Sequence, residues 1–277
     1  MKKIKKEYNY SRDRIIWRLL PTETGKLVVE ERDEETKEAY YNCVDINTGK
    51  IIFYDLQHEE KHWIGIESIY KDYIFFHKFA SRDMPEHKGI IAYDIQTQKI
   101  IWQREDYIFD FISEDKIYCY KNNFEGRSYY TLDYKSGNLL EEIGGNANQV
   151  NSIREKVLEE NNFGNYLFPE PLEVLNSSSH LLDQIRAELQ SNHTIAEKIQ
   201  CIIYNEIVLL NFHEVMNVGR LMNRFQAIDI QNKKIIFEQR LNSNTKTIVP
   251  DSFFIKDGLL FLLIEKSKIE VYSLKSF

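Results

Sequence analysis

The 277-residue chain is short of several features that would place it quickly: 5 prolines, 3 cysteines, no excess of positive charge and no long apolar run. Cys43, Cys119 and Cys201 are odd in number and widely spaced, with no Cys-x-x-Cys pair. That pattern argues against a zinc site and suits a reducing compartment, where each thiol, lying in an apolar run, serves as a small buried hydrophobe. No stretch approaches the ~20 apolar residues of a membrane span. The opening MKKIKKEYNYSRDR starts positively but has no apolar region after it, so no secretory signal is read and the expected location is the cytoplasm. Lys+Arg 36 against Asp+Glu 43 gives a net charge of −7, and a phosphate backbone calls for the opposite sign. Neither nucleic acid nor membrane is an expected partner. A Gly-rich phosphate loop is missing, since Gly144-Gly145 is a lone turn pair, and no Gly-x-Ser-x-Gly occurs.

What the chain does have is aromatic residues, 17 Tyr and 16 Phe, which with so few prolines favour an all-β domain. It also repeats itself. IAYDIQTQKIIWQRED (91–106) recurs as YYNCVDINTGKIIFYDL (40–56), YYTLDYKSGNLLEEI (129–143) and FQAIDIQNKKIIFEQRL (225–241), and IEVYSLKS near the end is a fifth, shortened copy. Each copy sets a half-apolar run, an Asp and a short polar stretch before a β-branched run ending on an aromatic. That is the grammar of a β-hairpin. The Asp accepts from backbone N–H groups two residues on, and Gly49 or Gly137 supplies a positive φ. Gln98 and Lys233 stand at the glycine position in the second and fourth copies, where another conformation or some strain is expected. Asp45, Asp94 and Asp133 are 49 and 39 residues apart, Asp229 and Ser273 are 44 apart, and Asp133 to Asp229 is 96, about twice the rest. A period of roughly 40–50 residues is the signature of a β-propeller with four strands per blade.

The unit Asp-x-x-Thr-Gly-Lys-x-x-Trp, as at Asp45 to Phe53 and Asp94 to Trp102, resembles the repeat of PQQ-like (quinoprotein-type) propellers, bacterial ones of no assigned activity among them. The resemblance implies the fold and leaves function open, because such propellers serve as enzymes, assembly factors and scaffolds. PQQ itself is not expected. The chain is far shorter than the eight-bladed dehydrogenases and has no vicinal cysteine pair or calcium-ligand cluster to match theirs.

Strands are predicted at 15–22, 26–32, 39–46 and 50–56; at 63–70, 72–79, 89–95 and 99–105; at 107–113, 116–122, 128–134 and 138–143; at 198–204, 207–214, 224–230 and 234–241; and at 252–256, 259–265 and 268–274. The fold expected is an all-β, five-bladed β-propeller in one domain over 1–277, the last blade completed by residues 3–10. The long interval holds a helical insertion at about 146–194, between the third and fourth blades. Val150, Ile153, Val157 and Leu158 share one helical face, and Leu181, Leu182, Ile185 and Leu189 another. Ser177 to Ser179 is a natural N-cap cluster, and Phe168-Pro-Glu-Pro171 must be extended. The insertion helices are expected to carry an exposed contact surface, and their removal to leave a folded propeller.

The repeated aspartates read as turn caps. Sites in propellers lie where the first strands of the blades converge. Those strands offer Arg18, Glu67, Asp110 and Asp251. Glu67, Asp110 and Asp251 are the candidate catalytic carboxylates of a carbohydrate hydrolase, which needs one as acid and another as base or nucleophile. His77 and Lys78, with His213 and Glu214, end the second strands of two blades and are candidate binding residues beside Arg18. The two histidines with Glu214 are possible metal ligands, but a histidine ending an aromatic-rich strand is more often a hydrogen-bonded structural residue, so no metal is assigned. No cofactor is expected. The function expected is a non-enzymatic cytoplasmic scaffold or ligand-binding module with a protein partner; the alternative is a hydrolase acting on carbohydrate.

Overall fold

The computed structural model describes residues 3–81, 84–160, 166–174 and 180–277. After β1 (Lys5–Ser11) come three four-stranded antiparallel sheets. They are β2 (Ile15–Pro21), β3 (Lys26–Arg32), β4 (Ala39–Asp45) and β5 (Ile51–Leu56); β6 (Ile64–Tyr70), β7 (Tyr73–Ser81), β8 (Met84–Asp94) and β9 (Lys99–Arg104); and β10 (Ile108–Ser113), β11 (Lys116–Asn123), β12 (Gly126–Asp133) and β13 (Leu139–Gly144). Then follow α1 (Ala147–Glu160), β14 (Tyr166–Leu167), β15 (Glu170–Pro171) and α2 (His180–Asn192). Two more meanders close the chain: β16 (Ile195–Tyr204), β17 (Ile207–Val215), β18 (Leu221–Asp229) and β19 (Lys234–Thr245), then β20 (Phe253–Lys256), β21 (Leu259–Ile264) and β22 (Lys268–Ser273). Every predicted strand is present. No helix among the described residues is long and apolar enough to cross a membrane.

The chain divides into two compact units, residues 14–162 and residues 1–13 with 163–277. In the first, three sheets stack through side chains that alternate along each strand. Ile74 and Phe76 of β7 pack with Val28, Tyr41 and Cys43 of the first sheet. Phe75, between them, packs with Phe109, Ile117 and Cys119 of the third. Burial on both faces is why β7 reads as a continuous apolar run. Each such side chain contributes about 1.5–3 kcal/mol. All three cysteines are buried, and burial pushes each thiol up to about 12.

The repeated turn behaves as a cap. Asp45 Oδ1 accepts from the N–H of Asn47 (3.1 Å) and Thr48 (2.8 Å) and from the Thr48 hydroxyl (2.7 Å). Asp133 does the same with Ser136, at 2.8 and 2.6 Å. Gly49 and Gly137 both have φ 69°, and Gln98 (55°) and Lys233 (51°) take the same left-handed conformation. The turn is therefore kept and the side chain carries the strain, about 1–2 kcal/mol at each. Gly137 has a second reason: a Cβ there would lie 2.6 Å from Cδ2 of Trp102.

In the second unit β17 alternates likewise. Leu209 packs with Phe225, Phe253 and Leu260, while Leu210 and Phe212 pack with Leu182, Ile185 and Leu189 of α2. The N-terminal segment pairs as expected: β1 runs antiparallel to β22 from Lys5↔Ser273 to Ser11↔Lys268. Lys6 Nζ reaches the buried Glu270 at 2.8 Å.

The helices of the insertion each pack an apolar face. Val150 of α1 is fully buried beside Phe111 and Tyr129, and Leu158 turns out to be exposed. Between the helices, Tyr166 and Leu167 pair with Lys256 and Ile255, and Glu170 and Pro171 pair with Cys201 and Gln200. Strands this short carried no periodic signal. The apolar faces of both helices are core, so their removal is not expected to leave the second unit intact. The proposed cap at Ser177 to Ser179, and the side chain of Leu181, lie outside the described residues.

A candidate polar site on the leading strands

The leading strands β2, β6 and β10 of the first unit each contain a β-bulge at one equivalent place. Register slips between Ile16 and Arg18, between Ile66 and Ser68, and between Phe109 and Phe111. The residues left unpaired are Trp17, Glu67 and Asp110. A bulge re-aims its side chain away from the strict alternation of the strand, which is why bulges gather beside binding sites.

Glu67 is met by His87 of β8, whose Nδ1 makes a short hydrogen bond to Oε1. Burial raises the Glu67 pKa; His87 and Arg18 oppose that, and Asp110 adds to it. His87 stacks on His77, with ring centroids 3.5 Å apart and planes 20° apart. Burial, then the neighbouring His87, drives His77 down to about 3, so its imidazole is neutral. Asp110 pairs with Arg154 of α1. Arg18 Nε donates to Glu30 Oε2 (2.8 Å), and its Nη2 to the carbonyl of Ile66 (2.5 Å), next to the Glu67 bulge. Arg32 holds the other Glu30 oxygen at 2.7 Å, so this fully buried carboxylate is flanked by two guanidiniums. Arg18, His87 and Arg154 stay partly open, with side chains 38, 37 and 31% exposed.

The side-chain donors of Glu67, His77 and His87 lie within 4.8 Å of one another, a set that could hold a metal ion. The position of His77 argues against it. A Cβ on Gly65 would lie 2.7 Å from His77 Nε2, so that nitrogen faces strand backbone, and Nδ1 is 3.4 Å from the Lys78 carbonyl. His77 acts here as the plate on which His87 rests.

The remaining predicted residues each have a setting of their own. Lys78 pairs with Glu105 at 2.8 Å. In the second unit, the buried His213 accepts the Val249 N–H at Nε2 (3.0 Å), a contact within the protein core, and burial lowers its pKa. Glu214 is bound by Arg224 Nε (2.6 Å) and His193 Nδ1 (2.8 Å); burial would raise its pKa, but those bonds hold it below the usual range. Asp251 is exposed, in the irregular segment before β20, with φ 48°. His87 and Arg154 were missed. His87 lay ahead of the predicted start of its strand, which begins at Met84. Arg154 did leave a signal: it interrupts the α1 stripe between Val150 and Val157.

A family model described as "Domain of unknown function (DUF4905)" matches residues 20–102. Its description names no PQQ-like repeat, so the likeness of the turns stays a resemblance. No curated protein matches. Solved structures similar to the chain include a eukaryotic initiation factor at 12% identity and TM-score 0.33, covering 93% of this chain. The β-propeller domain of the trilobed protease from Pyrococcus furiosus matches at 11% and 0.33 over 94% of this chain and 70% of its own. A dipeptidyl aminopeptidase IV from Bacteroides ovatus matches at 10% and 0.33 over 85% of this chain and 41% of its own. The chain spans about half, 51%, of the initiation-factor chain. Likenesses of this size establish neither an activity nor an arrangement of the sheets.

Proposed function

We propose that the chain is a single five-bladed β-propeller, residing in the cytoplasm and binding a small polar ligand at the Arg18, Glu67, His87 and Asp110 cluster without turning it over. The blade count rests on five meanders of one pattern, with β1 supplying the strand that the last copy lacks. A single compact body of 277 residues should show a radius of gyration of about 19 Å by small-angle scattering; a two-body profile would defeat the single propeller.

The observation that carries the ligand reading is the pair of bulged carboxylates, each already bonded to a side chain that remains partly open, Glu67 to His87 and Asp110 to Arg154. Charges held in place before a ligand arrives need little reordering when it binds. Half-exposed Arg18, His87 and Arg154 offer donors, and Glu67 and Asp110 offer acceptors, a set that suits a hydroxyl-rich molecule such as a sugar or sugar acid. Thermal-shift and calorimetric titration with monosaccharides, aldonic acids and uronic acids should find binding that Arg18→Met and His87→Gln each weaken tenfold or more. Equal binding by those variants would sink the reading.

One observation favours the hydrolase: burial raises the pKa of Glu67, as a general acid requires. Its would-be partner Asp110 is tied to Arg154, however, where a base or nucleophile needs a free carboxylate. Turnover of chromogenic glycosides, lost in both Glu67→Gln and Asp110→Asn, would put the enzyme first. A protein partner would meet the polar outer faces of the helices, since their apolar faces are packed.

A further inference from the structure

Between α2 and strands β18 and β19 lies a cavity of about 400 Å³. That size is typical of sites for small molecules. Ile185 and Leu189 of α2 with Ile228 and Ile235 of the sheet give it an apolar lining, and Lys233 and Lys234 stand on it at the hairpin turn. Gln226 also lines it. This residue faces α2, because it sits opposite Leu210, which packs on that helix.

Gln226 is 3% exposed, and its amide is half used. Nε2 donates to Glu238 Oε1 at 3.3 Å. A carboxylate can only accept, so that bond settles which end of the amide is nitrogen. Oε1 then faces the other way, buried and without a partner, one of four such side-chain atoms among the described residues. A buried acceptor left unpaired bears its whole desolvation penalty, and native proteins keep few of them. Leucine would pack here at no such cost, and the residues on either side, Phe225 and Ala227, are fully buried apolar core.

We propose that the cavity binds a small amphipathic acid whose N–H or O–H donates to Gln226 Oε1, whose apolar body lies on Ile185, Leu189 and Ile228, and whose carboxylate reaches Lys233 and Lys234. The residues involved are different from those of the Glu67 cluster, so either site can fail without the other.

The test uses two matched pairs of probes on the full chain: 4-hydroxyphenylacetate with phenylacetate, and indole-3-acetate with 1-naphthaleneacetate. The first of each pair has the donor and the second lacks it. Ligand-observed NMR and calorimetry should show one equivalent of at least one donor-bearing probe bound, with its mate about tenfold weaker or worse. In Gln226→Leu the two should bind alike, and Lys233→Gln combined with Lys234→Gln should weaken both. Gln226→Met serves should the leucine variant fail to fold. Three results would each overturn the site: no binding of any probe at millimolar concentration, equal binding within both pairs by the unaltered protein, or a preference that survives at Gln226→Leu.

Discussion

The leading strands of the five sheets come in two kinds. In residues 14–162, β2, β6 and β10 end their sheets, and the next position is taken by no strand among the described residues. Those strands carry Arg18, Glu67 and Asp110 and are broken by bulges. In the second unit β16 and β20 are covered, β20 by Tyr166 and Leu167 and β16 by Glu170 and Pro171. Covered β20 is Phe-Phe-Ile-Lys, buried throughout. An open edge exposes unpaired backbone and invites pairing with another chain, and charges and bulges are the usual defence. A covered edge has no such need and can be apolar. On β2, β6 and β10 charge and a bulge accompany an open edge, and an open polar edge is where a ligand can enter; β16, covered only at Gln200 and Cys201, keeps Glu197, Lys198 and a bulge of its own.

The largest test of this contrast is to strip the cover. Replacing residues 146–194 with a short Gly/Ser bridge removes both added strands together with buried Val150, Leu172, Leu182, Ile185 and Leu189. At about 2 kcal/mol for each side chain, the loss rivals the whole 5–15 kcal/mol of an ordinary domain. The excised protein should be unfolded or molten by circular dichroism at 25 °C. A melting temperature within a few degrees of the parent would show that the cover is ornamental.

Next in size is the opposite edge of the last sheet, where β1 covers β22. Deleting residues 1–11 uncovers β22 and removes the buried side chains of Ile4 and Tyr10. The expected loss is about 3–5 kcal/mol, read as a shift of the urea midpoint. An unchanged midpoint would mean the strand is a tail.

Acid should act on the same edge. Burial alone would raise the pKa of Glu270, but bonds from Lys268, Lys6 and the Tyr272 hydroxyl outweigh it and hold the carboxyl at about 2. A folded value below the unfolded value of about 4.3 stabilises the fold above that pH, and the gain fades as pH falls toward 2. After allowance for solvent screening the effect is about 1 kcal/mol. Urea midpoints at pH 6 and pH 3 should differ less in Glu270→Gln than in the parent. Equal differences would place the acid sensitivity elsewhere.

Legibility followed the same division. The hairpins announced themselves because turn chemistry and two-residue alternation are local, and the bounds fell within a few residues for most strands. β8 showed its start late because Met84 to Lys88 has no apolar alternation, and His87 was lost with it. The directions of Glu67 and Asp110 could not be read, since a bulge is a pairing event between strands and leaves no mark on its own strand. The two-residue strands β14 and β15 are below any periodic signal, and burial of the α2 face against β17 is a tertiary fact. In LMNRFQAID nothing marks Gln226 above its polar neighbours Asn223 and Arg224, and its unpaired oxygen is a tertiary fact.

The smallest expected effect is on the open edges themselves. Asp110 is joined to Arg154 across a partly exposed surface, with side chains 14 and 31% exposed. Exposed pairs of this kind contribute about 0–1 kcal/mol, because screening and the ordering of a long side chain offset most of the attraction. Asp110→Asn keeps the shape and an acceptor oxygen, so its urea midpoint should shift by less than 1 kcal/mol's worth. If these charges serve a ligand, the same substitution should weaken binding of the sugar acids or sugars that the unaltered protein retains, by tenfold or more. Small loss of stability with large loss of binding is what an open edge built for recognition requires. A large loss of stability would instead make Asp110 and Arg154 the anchor that fixes α1 to its sheet, and the contrast between charged and covered edges would then be one of packing alone.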